Sequence, residues 1–442
     1  MSPEILVRRR WRYLGIGACT NLFLGFIYGW SILAVPLQKE LGWTSADTSL
    51  TFTLSTALFC VGGLVGAQIT KKTSPRLTLL VSAVLIVSGY AYLSTVGAGD
   101  ITAFHIVYGV CIGFSLGMSH ITVLGTLNRW FPDRLGLSSG LLTLGFGLSS
   151  LVWGFVVSAL IEAWTWRPGF VTVGAVTAAM LVMASFFVFL PPNGWNPALF
   201  LEVHERKAII LKSRQQRALA KGQQGVPTEG QPGASEGQPG ASETAHDFTT
   251  SGMLRQPMFY LMFAVEVLLA SVYLGIMGNA KLIALEAGAV MGLATLAVGC
   301  ISLGDSCCRL ASGIFFDRFG YRASFIGMAL LFMGSTGVLF TAFSLDALPL
   351  VFCGILILGM GFGTLTTVLA ATTNRFYGQK HYGTNLSVVY TDFLPASLIG
   401  PTLVGFFATT QGSYHMAFAI LFVISAVALL LCLALRPPRQ SG

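Results

Sequence analysis

Long apolar runs separated by short polar or charged breaks recur along the whole chain. About twelve of these runs reach roughly 20 residues, the length an α-helix needs to cross about 30 Å of hydrocarbon. The predicted spans are residues 13–37, 49–70, 77–96, 101–127, 135–161, 168–190, 258–280, 290–316, 323–343, 348–372, 383–408 and 417–435. The pattern therefore predicts an all-α membrane protein with twelve transmembrane helices.

One long polar segment interrupts the pattern. Residues 193–252 begin with a charged, helix-prone piece and continue with a stretch rich in Gly, Pro, Gln and Ser. The sequence GQPGASE occurs twice in succession, at 230–236 and 237–243. Such a segment lacks the apolar residues needed to fold around a core, so we interpret it as a flexible linker. It separates an N-terminal half, residues 1–192, from a C-terminal half, residues 253–442, and each half holds six predicted spans.

Composition supports the membrane interpretation, and the charge distribution predicts an orientation. Across 442 residues, 54% are hydrophobic and only 10% are charged, which excludes an ordinary soluble protein. Of the 26 Lys and Arg residues, 22 fall on the side of the chain ends and only Lys39, Arg167 and Lys281 on the opposite side. Because basic residues concentrate in cytoplasmic loops, we expect a cell-membrane protein with both termini in the cytoplasm. The net charge of +8 then needs no nucleic-acid partner.

Enzymatic motifs are missing from the sequence. It contains no phosphate-binding Gly-x-x-x-x-Gly-Lys-Ser/Thr, no His-Glu-x-x-His and no nucleophile elbow in a suitable context. The eight cysteines lie in apolar runs without Cys-x-x-Cys spacing, and we interpret them as small core residues. We therefore expect a monomer that is not an enzyme and that uses no cofactor and no metal.

Arg309 is the only Lys or Arg inside a predicted span. A guanidinium group at bilayer depth costs at least roughly 2.5 kcal/mol, so such a residue usually has a function. Asp305 lies four residues earlier, which places both side chains on one face of a helix. Either Arg309 receives the carboxylate of an anionic substrate while Asp305 binds a proton, or the two form a buried ion pair with a structural role alone.

A loop sequence is repeated at matching places in the two halves. Residues 66–76 read GAQITKKTSPR between spans two and three, and residues 312–322 read SGIFFDRFGYR between spans eight and nine. The second copy resembles the cytoplasmic loop signature of the major facilitator superfamily, and it carries Gly313, Asp317, Arg318, Gly320 and Arg322. The resemblance implies two pseudo-symmetric six-helix halves that transport by alternating access around a site at the midplane.

The loop chemistry suggests a gate on the cytoplasmic side. Asp317 could bridge to arginines and hold the two halves together there. The first copy has Lys71 where the acid would stand, so we expect a weaker or differently paired latch in that half.

Residues 128–140, NRWFPDRLGLSSG, narrow the resemblance to the oxalate/formate antiporter family, which is related to the monocarboxylate transporters. PPNGW at 191–195 and the Cys308-Arg309 pair agree with it. The resemblance implies that Arg309 is one of two substrate-binding cations, but the second, a lysine, corresponds to Phe393 here. A dianion in a dry cavity needs about two compensating charges, so Arg309 alone favours a monoanion. The Asp305–Arg309 spacing also resembles the proton and substrate pair of monocarboxylate transporters.

The resemblance also implies an aromatic cage around the substrate. Its candidate members are Tyr28, His120, Phe362, Tyr390 and Phe393, whereas Thr366 stands where a further aromatic residue is expected. His120 could contact a carboxylate or serve only in packing.

Two more acids, Glu266 and Asp392, lie in apolar runs. They are either further proton-coupling residues or acids used in helix packing, and the sequence leaves both alternatives open.

These residues favour a proton-coupled carrier of a small monocarboxylate such as lactate, pyruvate or formate. The expected partners are that carboxylate, H⁺ and the lipid bilayer. Alternatives are carboxylate exchange without protons and transport of a larger organic acid. A membrane sensor without transport activity is a more distant alternative, since the linker is the only segment outside the twelve spans that such a role could use.

Overall fold

The computed structural model describes residues 3–131, 135–192, 195, 248–378 and 382–436. Twelve helices in this part of the chain are long and apolar enough to cross a membrane, and it contains no strand. They are α1 Leu6–Leu41, α2 Ser45–Lys72, α3 Pro75–Leu93, α4 Ala98–Asn128, α5 Leu135–Ala163, α6 Trp166–Ser185, α7 Pro257–Glu286, α8 and α9 within Met291–Ser344, α10 Leu348–Tyr377, α11 Asn385–Gln411 and α12 His415–Leu433. The prediction of an all-α, twelve-helix membrane protein is confirmed.

Most of the predicted linker and the Pro132–Arg134 part of the NRWFPDR run lie outside the described residues. The last residues of the predicted linker form part of a short helix, Thr250–Leu254, which precedes α7.

Local sequence chemistry explains where several helices begin. Thr44 caps α2: its hydroxyl oxygen accepts from the backbone N–H of Asp47, and the Asp47 carboxylate accepts from the Thr44 N–H. This reciprocal arrangement satisfies two donors that a helix start leaves free. Between α8 and α9 the backbone leaves helical geometry at Gly320, with φ +77° and ψ 177°. Only glycine adopts that φ without strain, so this position of the loop signature has a backbone role.

Three of the membrane helices contain irregular turns. α1 has a 3₁₀ turn at Gly25–Gly29, α4 a π-helical turn at Tyr108–Gly113, and α11 a 3₁₀ turn at Tyr390–Asp392. Such turns inside longer helices often mark functional positions. Two of them carry residues that the sequence analysis selected, namely Tyr28 in α1 and both Tyr390 and Asp392 in α11.

Glycine contacts bring helices close together within each half. A side chain at Gly113 or Gly117 of α4 would collide with the α2 backbone at Ser55 or Phe59. In the second half, a side chain at Gly363 of α10 would collide with the α8 backbone at Asp305. Small residues allow this close approach in membranes, where packing rather than water exclusion drives association. The contact at Gly363 fixes the backbone that carries Asp305.

The two halves meet at one end of the bundle. An even number of spans places both chain ends on one face, here called the terminal face, and the opposite face is called distal. Within the described part of the chain, Ser45 and Tyr414 bond to each other across the halves, and five further hydrogen bonds also join the halves, all toward the distal face. They are Ala46 N to Thr409 Oγ1 at 2.9 Å, Ser49 Oγ to Asn279 Oδ1 at 3.2 Å, Thr53 to Thr402 at 3.3 Å, Ser158 to Thr295 at 2.9 Å, and Lys281 Nζ to Ser158 Oγ at 3.0 Å. The distal face is therefore closed.

The terminal face lacks the latch suggested by the loop signature. Among the residues that the structure describes, none forms an ion pair with Asp317. Arg322 donates instead to the Leu433 carbonyl oxygen of its own half, at 3.4 Å, and Arg318 lies 5.5 Å from the Phe319 ring centre. Gly313 faces Thr367 of α10. An Asp317 latch between the halves stays a prediction for another conformation of the protein.

Candidate functional site

Arg309 and Asp305 form a two-hydrogen-bond ion pair on α8. The Nε of Arg309 donates to Asp305 Oδ1 at 2.8 Å, and Nη2 donates to Oδ2 at 3.1 Å. The four-residue spacing on one helix produces this geometry, because side chains at i and i+4 lie on the same face. The bidentate contact uses one edge of the planar guanidinium group.

The pair faces the space between the two halves. A Cβ at Gly147 of α5 would lie 2.9 Å from Asp305 Oδ2, so the carboxylate packs against the opposite half. The Asp305 side chain is only 2% exposed, whereas the Arg309 side chain is 15% exposed. Arg309 is therefore the more accessible member of the pair.

The guanidinium group of Arg309 has a second edge, which includes Nη1 and is not occupied by any residue that the structure describes. Asp305 occupies Nε and Nη2, and Nη1 makes no hydrogen bond to any residue that the structure describes. A guanidinium group can hold two carboxylates at once, one on each edge. Arg309 can therefore bind an incoming carboxylate without first leaving Asp305.

Aromatic rings of the second half form a wall beside Arg309. Its guanidinium carbon lies 5.9 Å from the centre of the Phe362 ring. Phe362 stacks on Tyr273 with centroids 3.6 Å apart and planes at 6°, and it contacts Phe393 at 5.7 Å. Tyr28 of the first half meets Phe362 and Tyr273 edge-on, at 6.2 and 5.9 Å. The structure thus places Tyr28, Phe362 and Phe393 in one aromatic cluster, of which Phe362 lies against Arg309.

His120 lies on the opposite side of the site in a packed environment. Its ring centre is 4.3 Å from that of Phe146 and 5.8 Å from that of Phe59. Its Nδ1 lies 3.0 Å from the Asn21 side-chain oxygen, and Asn21 in turn donates to the Leu142 carbonyl oxygen. In the neutral tautomer that donates from Nδ1, Nε2 is an acceptor. His120 in that state can accept from a substrate hydroxyl group but cannot donate to a carboxylate.

The remaining cage positions differ in their roles. Tyr390 lies within electrostatic range of Arg309, so it belongs to the surroundings of the site. The Thr366 hydroxyl group bonds to backbone oxygens of its own helix, at Phe362 and Gly363. Thr366 therefore puts a small side chain where an aromatic residue was expected, and its hydroxyl group is bonded within α10.

A comparison with known sequences decides the family. The sequence model of the Major Facilitator Superfamily matches residues 14–393 and again 261–442. The chain belongs to the Major Facilitator Superfamily. The family and its relatives are transporters, so this member is a membrane transporter rather than an enzyme.

Individual relatives of this Major Facilitator Superfamily member are distant. The chain is 23% identical over 436 residues to the oxalate:formate antiporter of Oxalobacter formigenes, covering 98% of this chain and 93% of that protein. It is 25% identical over 202 residues to monocarboxylate transporter 11 of Homo sapiens, covering 44% of this chain and 42% of that protein. A crystal structure of a POT family transporter in complex with 5-aminolevulinic acid superposes with a TM-score of 0.69 over 96% of each chain, at 14% identity. That likeness shows the shared fold.

Sequence reasoning missed several residues of the site. Tyr273, Phe146, Asn21 and Gly147 all contact predicted site residues. A tyrosine deep in an apolar run was a usable signal for Tyr273, since a buried phenol hydroxyl usually has a polar partner. Nothing in the sequence distinguishes Phe146 or Gly147 from the other Phe and Gly residues of the helices.

Glu266 and Asp392 lie apart from the Arg309–Asp305 pair. Both are 0% exposed, and neither forms an ion pair with a residue that the structure describes. Their carboxylate oxygens also lack hydrogen-bond donors in the described part of the chain. They are not used as salt-bridge acids in helix packing.

Proposed function

We propose that this transporter is a secondary carrier of small organic anions and that Arg309 receives the carboxylate of the substrate. The observation that carries the proposal is the free Nη1 edge of Arg309, which faces the space between the halves while Asp305 holds the other edge. A substrate carboxylate at that edge would gain charge-assisted hydrogen bonds of the strongest kind. The neighbouring wall of Phe362 and Tyr273 suits the apolar part of a short-chain acid.

The charge of the pair supports coupling to protons. With Asp305 ionised, Arg309 and Asp305 together are neutral and attract an anion only weakly. When Asp305 takes up a proton, the site gains a net charge of +1 and matches a monoanion. We therefore propose H⁺-coupled transport of a monocarboxylate such as lactate, pyruvate or formate. The aromatic residues around Arg309 contact no other Lys or Arg in the described part of the chain, which argues against a dianion.

A second candidate is exchange of carboxylates without net proton movement. It is favoured by the similarity to an oxalate:formate antiporter along nearly the whole chain. In this mechanism Asp305 stays ionised and keeps the Nε–Nη2 edge of Arg309, while successive substrates occupy the Nη1 edge. The two candidates share the same anion site and differ only in whether Asp305 titrates during the cycle.

The distribution of basic residues supports an orientation for either candidate. The terminal face carries nearly all Lys and Arg side chains, and Lys39, Arg167 and Lys281 lie toward the distal face. We propose that the terminal face is cytoplasmic and that the protein resides in the cell membrane. The conformation described here is then closed at the face opposite the cytoplasm.

Uptake by proteoliposomes tests both candidates. Radiolabelled formate and lactate are offered to vesicles with a pH gradient alone, and to vesicles loaded with unlabelled anion. Uptake driven by the pH gradient supports proton coupling, and uptake that requires internal anion supports exchange. Absence of both, for a panel of short carboxylates, overturns the proposal.

Arg309→Lys tests the residue, with Arg167→Lys as the matched control at the distal face. Lysine cannot form the planar two-bond contact. The loss of one hydrogen bond to a charged group, roughly 1.5–3 kcal/mol, weakens binding about 10- to 100-fold. Arg167→Lys should keep normal binding, because Arg167 lies toward the distal face, where it contacts Glu40, the Val96 carbonyl oxygen and the Trp166 ring. Equal activity of the two variants would remove Arg309 from the site.

The Asp305→Asn substitution distinguishes proton-coupled transport from carboxylate exchange. Proton coupling through Asp305 predicts that this variant keeps anion exchange and loses accumulation driven by a pH gradient. Normal pH-driven uptake in Asp305→Asn would show that Asp305 is not the coupling acid.

A further inference from the structure

Glu266 of α7 and Asp392 of α11 form a buried pair of carboxyl groups. Each side chain is 0% exposed, and the two groups lie within electrostatic range of each other. The helices that carry them are in close contact, because a side chain at Gly400 of α11 would collide with the α7 backbone at Ser271. The packing of the second half therefore brings two buried acids from different helices within electrostatic range of each other.

None of the four carboxylate oxygens has a hydrogen-bond partner among the residues that the structure describes. The backbone N–H groups of Asp392 and Phe393 lie near the Asp392 carboxyl group but outside hydrogen-bond geometry. An unsatisfied buried carboxylate costs several kcal/mol, and two adjacent negative charges repel each other in addition. In the described part of the chain, no cationic side chain pairs with either acid to offset this cost.

The titratable neighbours of the pair carry no positive charge. Cys432 of α12 faces Glu266, and both Cys60 of α2 and Tyr28 of α1 face Asp392. The Arg309–Asp305 pair acts on Tyr28 as well. The Tyr28 side chain is thus within electrostatic range of both the anion site and Asp392.

We propose that Glu266 and Asp392 form a proton-binding site in which the two carboxyl groups share a single proton, one being protonated while the other is ionised. A single proton removes one of the two charges. The site is distinct from Asp305, which already has a cationic partner. It deepens the proposed carrier function by adding a proton site within the second half.

The position of the pair gives a route for coupling to substrate. Asp392 is followed by Phe393, whose ring contacts Phe362, and Phe362 lies against Arg309. An anion at Arg309 adds negative charge near the acids and favours their protonated form. By reciprocity, a proton on the acids favours binding of the anion. Exposure of the α7–α11 contact when the halves rearrange would release the proton.

A test without substrate comes first, so that it stands independently of the proposed function. The thermal midpoint of the purified wild-type protein is measured from pH 6 to pH 9. Deprotonation leaves two adjacent buried charges, so the midpoint of the wild type should fall as the pH rises. Glu266→Gln and Asp392→Asn should each reduce the dependence of the thermal midpoint on pH. Glu286 is an exposed acid on α7, the helix of Glu266, and Glu286→Gln should keep the wild-type dependence. A wild-type slope in both variants overturns the proposal.

Infrared difference spectroscopy of a pH titration keeps the test informative where a variant folds poorly. The wild type should show the C=O stretch of a buried protonated carboxyl group near neutral pH, and each variant should lose that band. A wild type without the band overturns the proposal. Stabilisation of the wild type by Na⁺ at neutral pH, absent in both variants, would overturn it in favour of a sodium site.

Proteoliposome uptake of labelled formate then links the site to transport. Glu266→Gln and Asp392→Asn should reduce pH-driven accumulation and keep exchange of formate against formate. Normal accumulation in both variants overturns the coupling role. If the wild type transports no carboxylate at all, the proposed function fails, while the pH and infrared results still decide the proton site.

Discussion

The Arg309–Asp305 pair offers a prediction whose size follows from the structure. Arg309→Met removes the guanidinium group and leaves a carboxylate that is 2% exposed and has lost hydrogen bonds of 2.8 and 3.1 Å. Breaking a buried pair in this way costs roughly 3–5 kcal/mol. The isolated carboxyl group can escape part of that cost by taking up a proton. An ordinary aspartate titrates near pH 3.9, so protonation at pH 7 costs about 4 kcal/mol.

The proton route makes the loss of stability depend on pH. The cost of protonation falls by about 1.4 kcal/mol per pH unit on acidification. Arg309→Met should therefore be destabilised by up to about 4 kcal/mol at pH 7 and by about 1.5 kcal/mol at pH 5. The measurement is unfolding of the purified protein in detergent at both pH values, with the wild type treated in parallel.

A double substitution provides the control for this experiment. Arg309→Met with Asp305→Leu replaces both charges by apolar groups of similar size, which should recover most of the lost stability. Transport should remain absent, because the anion site is gone. Refutation would come from Arg309→Met being as stable as the wild type at pH 7, or equally destabilised at pH 5 and pH 7. Either result would mean that Asp305 does not depend on Arg309 in the folded protein.

Three further substitutions test contacts between the halves and around the site. Gly147→Val places a side chain 2.9 Å from the Asp305 carboxylate, so transport should fall at least about tenfold. Gly147→Ala should have an intermediate effect. Full transport activity of the valine variant would contradict the contact. Lys281→Met removes a 3.0 Å hydrogen bond from a lysine that is 3% exposed, which should raise labelling of a Ser49→Cys reporter by an impermeant thiol reagent several-fold. Unchanged labelling would show that this bond does not keep the distal face closed. Tyr273→Ala removes one ring of a 3.6 Å stack and should weaken anion binding, as measured by calorimetry. Tyr273→Phe keeps the ring and should bind the anion normally. An equal loss of affinity in both variants would assign the effect to the hydroxyl group.

Two expectations from the sequence concern side chains whose contacts depend on residues far away in the chain. His120 stays a candidate contact for a carboxylate, and its Nδ1 lies 3.0 Å from the side-chain oxygen of Asn21 on another helix. Asp317 was expected to latch the halves, but it makes no ion pair with a described residue in the conformation seen here. Both outcomes depend on groups far away in the chain, and a single sequence gives no measure of such distances.

The sequence by itself determined the twelve membrane helices and the Arg309–Asp305 pair, because both follow from local rules. An apolar run of sufficient length must satisfy its backbone hydrogen bonds as a helix in lipid, and residues four apart on a helix share a face. Only the tertiary structure decided that Gly147 packs against Asp305, that Tyr273 stacks on Phe362 and that Glu266 comes within electrostatic range of Asp392. It also decided that the distal face is closed. Those contacts join helices distant in sequence, and the close packing of whole helices through small residues, rather than any local pattern, selects them.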